Sequence, residues 1–120
     1  MQYKEVKTII KDYRLAHIQV YAGNSFIQAG IKPNKQYEPA KRFVNMIENG
    51  FDTLDQQELR AFKLGFIEHA SGNVAALRMN CKNTSQYYHL RHNAVVKIGQ
   101  YLDNNMEFKD WYNCGSQLAT

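Results

Sequence analysis

At 120 residues, the chain has room for one compact domain and not for two ordinary ones. Its hydrophobic share of 44% and charged share of 22% are those of a folded globular protein and exclude wholesale disorder. The net charge of +4 is dispersed, with no basic run, so a polyanionic partner such as DNA is permitted only if folding gathers the cations.

Along the chain, apolar residues first recur three or four apart at Tyr3, Val6, Ile9, Ile10, Tyr13, Ala16, Ile18 and Val20. That spacing predicts an amphipathic helix over 3–21, with Lys4, Lys7, Lys11, Asp12 and Arg14 on other faces. Such a helix must pack on the domain or on a second copy, so a homodimer is one arrangement it allows. Ala22-Gly23-Asn24 reads as its stop. Gly30, Pro33, Asn34 and Pro39 then predict turns over 25–39, with Phe26, Ile27 and Ile31 packed into them.

A second helix is expected over 38–48, with Phe43, Val44 and Ile47 inward and Asn49-Gly50 closing it. Asp52-Thr53-Leu54-Asp55 resembles a helix start, with Asp or Thr as N-cap. Leu59, Phe62, Phe66 and Ile67 continue that helix to about His69, where 70–73 breaks it. A short helix over 74–80 follows, with Val74, Leu77 and Ala75 pointing inward. Residues 80–83 form a tight polar turn, and Asn83 or Thr84 caps a long helix reaching about Leu102. Tyr87, Leu90, Ala94, Ile98 and Tyr101 share its apolar face, beside Val95 and Leu102. Met106, Phe108, Trp111 and Tyr112 then predict a tail that caps the core or meets a partner, before Cys114-Gly115-Ser116 frays.

The sequence thus predicts an all-α helical bundle containing a helix-turn-helix. Residues 1–51 pack on the core, 52–102 form the DNA-binding unit, and 103–120 form a tail or capping helix. A helix-turn-helix requires small residues where its helices approach, and Ala75-Ala76 supply them. It also requires a long helix with an apolar rear and a polar front. With Tyr87, Leu90, Ala94 and Ile98 inward, Ser85, Gln86, His89, His92, Asn93 and Lys97 turn outward, and Arg91 lies at the boundary. Gln and Arg side chains pair with purine edges, while Ser and His bond bases or phosphates. Ser85, Gln86, His89, Arg91 and His92 are therefore the candidates at or near bases, and Thr84 at the helix start is a further DNA-binding candidate. Arg78, Lys82 and Lys97 are the candidates at phosphates, with Tyr88 in reach of one. Residues 69–102 contain no carboxylate, which leaves those cations unopposed in the local sequence.

The run Asn83-Thr84-Ser85-Gln86-Tyr87-Tyr88-His89-Leu90-Arg91-His92-Asn93-Ala94-Val95 resembles the recognition helix of ArpU/RinA-type phage transcriptional regulators. The unit is also similar to the C-terminal promoter-reading domain of bacterial sigma factors, whose opening helix Leu54-Asp55-Gln56-Gln57-Glu58-Leu59-Arg60 resembles. Val6-Lys7-Thr8-Ile9-Ile10-Lys11-Asp12-Tyr13 resembles the leading helix of ArpU-like proteins. The resemblance implies a regulator of phage late genes, such as packaging and lysis genes, acting on double-stranded DNA in a bacterial cytoplasm. A contact with RNA polymerase is implied by the resemblance alone.

Other chemistries find less in the sequence. Cys81, His89 and His92 do not have zinc-ligand spacing. Cys114 lacks an orienting partner for nucleophilic catalysis, and there is no glycine-rich phosphate loop. No enzyme, metal or cofactor is expected. The opening residues lack a signal-peptide layout, and no stretch approaches the roughly 18 apolar residues of a membrane span. A cytoplasmic protein with reduced thiols and no membrane partner is the expectation. Two other functions stay open: a small-terminase-like DNA-packaging recognition subunit, and a protein-interaction or inhibitor module.

Overall fold

The structure is a computed structural model that describes residues 1–113, with the side chain of Asn113 outside the description. The expectation for Cys114-Gly115-Ser116 lies outside the described residues. The described chain contains only helices and turns. They are α1 (Tyr3–Gln28), α2 (Tyr37–Glu48), a 3-10 turn (Asn49–Thr53), α3 (Gln56–Phe62), a π-helical turn (Lys63–Ile67), α4 (Gly72–Arg78), α5 (Thr84–Asp103) and α6 (Met106–Asn113). The all-α expectation holds. No described helix is long and apolar enough to cross a membrane.

α1 has 26 residues and so spans about 39 Å, most of the molecule's 46 Å long axis. Val6, Ile9, Ile10, Tyr13 and Ala16 are buried along one side of it, whereas Tyr3 and Ile18 face solvent. The expected stop at Ala22-Gly23-Asn24 does not occur. Gly23 sits mid-helix because the ring of Tyr37 occupies the place a Cβ would take. Asn24 accepts a 2.5 Å hydrogen bond from the Tyr37 hydroxyl, so the two residues dock α2. The helix instead ends at Gly30, at φ +76°, where the Gly30 N–H donates to Ile27 O and the Ile31 N–H to Phe26 O.

The main core joins α1, α2, α5 and α6. Phe43 of α2 stacks on Trp111 and Tyr112 at ring separations of 5.4 and 6.0 Å, so α6 is a wall of the core. Met106, at the start of α6, is exposed. Ile98 and Leu102 of α5 are fully buried in the same cluster. The helix start expected at 52–55 begins at Asp55, because Asp52 and Thr53 belong to the 3-10 turn. Asp55 Oδ1 accepts from the Glu58 N–H at 2.7 Å and Glu58 Oε1 accepts from the Asp55 N–H at 3.0 Å, a reciprocal capping box.

A second cluster, of Ala61, Leu64, Ala75, Ala76 and Tyr87, holds α4 against α3 and α5. Here the sequence expectation needs correcting. Val74 and Leu77 point outward, at 42% and 78% exposure, and the alanines point in. Two alanine methyls let α4 lie close to α5, where branched side chains would hold the backbones apart. Between α3 and α4 the π turn faces Gly65 toward α5. A Cβ at Gly65 would stand 2.6 Å from the Tyr87 hydroxyl and 2.8 Å from Arg91 Cδ.

Candidate nucleic-acid interface

The link from α4 to α5 is set by backbone hydrogen bonds. Ser71 caps α4, accepting from the Val74 N–H at 3.3 Å. At the other end Asn80 adopts φ +56°, the left-handed conformation that asparagine tolerates better than most non-glycine residues. The Cys81 N–H donates to Ala76 O at 2.9 Å and the Asn80 N–H to Leu77 O at 3.1 Å, a Schellman closure. The chain reverses there, and Asn83 opens α5 by accepting from the Gln86 N–H at 2.9 Å. The Gln86 side chain reaches back, and its Oε1 accepts from the Lys82 N–H at 2.8 Å. Two of the amides near the start of α5 are thus satisfied by side chains that also face outward.

Ser85, Gln86 and His89 are exposed on the first turns of α5, next to the exposed Lys82. Gln86, His89 and Asn93 fall within about 60° of arc at 3.6 residues per turn. Asn93 Nδ2 lies 3.3 Å from His89 Nε2, and a neutral imidazole accepts that bond. The first turns of α5 therefore present an alcohol, two amides and an imidazole, groups that can donate hydrogen bonds. The amides at a helix start carry partial positive charge, which favours an anion. Because the Gln86 oxygen already accepts one bond, its NH2 is the freer half and suits an acceptor such as purine N7, guanine O6 or phosphate.

The other predicted contacts are distributed differently. Thr84 is half-buried beside the cap. Lys97 lies on the Gln86 side of α5 but three turns on, roughly 16 Å away. Its ammonium is not free: Nζ sits 2.7 Å from Oε1 of buried Glu58. That hydrogen bond to Glu58 holds the ammonium above the ordinary lysine range. Arg78 is exposed, with its guanidinium 3.7 Å from Glu68, and its carbonyl accepts from Arg60 at 2.9 Å.

Arg91 is turned away from the Gln86 face, about 140° around the helix. Its guanidinium lies over Tyr88, Phe66 and Tyr87 at 4.7, 5.3 and 5.6 Å from their ring centres. His92 stacks on Tyr3 at 4.7 Å, so it joins α5 to α1. Lys82, Ser85, Gln86 and His89 thus come together, with Asn93 added. Arg91 and Tyr88 form the opposite flank, His92 lies two turns beyond Ser85 and is held against Tyr3, and Arg78 and Lys97 are ion-paired.

Compared with known proteins, the chain matches no family model, no curated protein and no solved structure.

Among the described residues, a further group of cations outside any ion pair lies elsewhere. Lys7, Lys11 and Arg14, spaced i, i+4 and i+7 on α1, face Arg91 across a cleft of about 440 Å³. In the sequence Lys7, Lys11 and Arg14 lie on faces of the helix away from its apolar stripe. Their one-sided spacing was visible, but nothing local revealed that Arg91 would stand opposite. Among the described residues, no three His, Cys, Asp or Glu side chains come together as metal ligands.

Proposed function

We propose that this protein is a sequence-specific DNA-binding regulator that lays the start of α5 in the major groove, with α4 as the bracing helix. One observation carries this reading: the exposed, carboxylate-free group of Lys82, Ser85, Gln86 and His89, with half-buried Asn93 beside it, on the first turns of a helix closely backed by Ala75 and Ala76. A major groove about 12 Å wide admits one helix, and its N-terminal turns meet the base edges. Gln86 and His89 contact bases in this reading, Ser85 a base or phosphate, and Lys82 a phosphate. The Glu58 and Asp55 carboxylates beside Lys97 confine the duplex to the first half of α5. The likeness of residues 83–95 to ArpU/RinA-type regulators supports control of phage late genes, with RNA polymerase as a further partner.

The test is selection of bound duplexes from a randomised pool at low salt, followed by binding measurements across a salt series. The proposal expects an enriched motif and affinity that falls steeply with salt, because cations displace condensed counterions. Lys82→Ala weakens all duplexes alike, whereas Gln86→Ala reduces discrimination between them. Retention of no duplex at low salt would sink the proposal.

A second reading, a DNA-packaging recognition subunit that assembles into a ring, draws on α1. Residues 15–31 carry no charge, and Leu15, Ile18, Tyr21, Phe26 and Ile27 are exposed there. Exposed apolar surface of this kind marks association sites. The particle mass in solution separates the readings, since a monomer or dimer fits the regulator and a larger ring fits packaging.

A further inference from the structure

The cleft between α1 and the π turn has no role in the reading above. Its rim carries Lys7, Lys11, Arg14 and Arg91, and among the described residues no carboxylate lines it. None of these cations is in an ion pair among the described residues. Four positive charges around one cavity repel each other, an arrangement that an incoming anion relieves. Two of the four are held in place. The Arg91 guanidinium is fixed over the Phe66 ring, and Arg14 Nε is buried without a hydrogen-bond partner. A buried, charged donor left unpaired is unfavourable and calls for an acceptor.

Between these cations the lining is apolar, with Ile10, Phe66 and Ala70. The volume, about 440 Å³, falls within the range of small-molecule sites, roughly 300–1,000 Å³. An inorganic phosphate is too small to fill this space or balance four charges. A duplex backbone presents charge but no apolar group to occupy the floor. Arginine forks and lysine ammonium groups suit phosphate oxygens.

We propose that this cleft binds a small, multiply charged phosphate ester with an apolar or aromatic moiety, of the nucleoside polyphosphate class. Phosphates pair with Lys7, Lys11, Arg14 and Arg91, and the ring system lies on the floor near Phe66. The site is independent of the Gln86 face, which looks the other way around α5.

The experiment is isothermal calorimetry on the full chain with ATP, tripolyphosphate and a short mixed-sequence DNA duplex. Wild type is compared with Lys7→Ala/Lys11→Ala, which changes two exposed side chains, and with the control Lys32→Ala/Lys35→Ala. Circular dichroism confirms that each variant is folded. The proposal expects ATP to bind more tightly than tripolyphosphate. It also expects the α1 variant to weaken ATP binding by at least about tenfold, the equivalent of one lost charge-assisted contact. The control stays within about twofold, which is below a single such contact. Absence of ATP binding, or equal weakening in both variants, overturns the proposal. Loss of duplex binding alone in the α1 variant also overturns it, because the cations then clamp a DNA backbone.

Discussion

Gln86 performs two tasks that a pair of substitutions can separate. Its side-chain oxygen accepts from the Lys82 N–H at 2.8 Å, and its NH2 is free at the start of α5. Gln86→Glu keeps the acceptor and places a negative charge at a helix N-terminus, a favourable position by about 0.3–1 kcal/mol. It also removes the donor and brings a carboxylate up to bases and phosphates. Gln86→Ala removes both halves and forfeits the backbone contact, a net loss of about 0.5–1.5 kcal/mol. In urea unfolding, the glutamate variant is therefore as stable as wild type or slightly more so, and the alanine variant is less stable. In DNA binding the order changes, because the glutamate variant binds worst. Losing a base contact worth about 1–3 kcal/mol corresponds to roughly 5- to 150-fold, and charge repulsion adds to that. Fluorescence anisotropy on a selected duplex reads this directly. A stable glutamate variant that binds DNA like wild type refutes the placement of Gln86 in the groove.

Three further outcomes follow from buried or strained groups. The Tyr87 hydroxyl is buried with no hydrogen-bond partner, so Tyr87→Phe raises stability by about 1 kcal/mol, seen as a higher urea midpoint at unchanged slope; a lower midpoint contradicts this. Asn80 holds φ +56°, so Asn80→Gly is neutral or slightly stabilising and Asn80→Ala lowers stability by about 1 kcal/mol; equal effects contradict the left-handed turn. Burial, aided by hydrogen bonds to Glu48 and Asp12, raises the Tyr13 and Tyr112 phenols well above the ordinary range. Their neutral forms favour the fold, so stability is full below about pH 10 and falls as pH rises beyond it, where the unfolded chain loses these protons first. In an ultraviolet titration of the eight tyrosines, these two ionise last, together with unfolding; ordinary titration of all eight contradicts the assignment.

Local signals predicted the features that local chemistry decides. The Asn83 cap, the polar turn over 80–83 and the apolar face of α5 depend on near neighbours, and each was readable from spacing. The failures involve partners distant in sequence. Gly23 carried a helix-stop signal, yet Tyr37 packs on it from α2 and the helix continues. In α4, seven residues are too few to fix a helical phase. Leu77 and Val74 looked like core, but close approach to α5 favours the small alanines. Lys97 looked unopposed because residues 69–102 lack carboxylates, and its partner Glu58 comes from another helix. Arg91 read as a boundary residue, and a trio of aromatic rings drew it to the far flank.

The central claim is that the first half of α5 is the surface that meets DNA. Amide chemical-shift mapping of the labelled protein against a short mixed-sequence duplex at low salt tests it most directly. The largest shifts are expected over residues 82–93, with little change along α2 and α6. Shifts centred on other helices, or none with the duplex in excess, would contradict it.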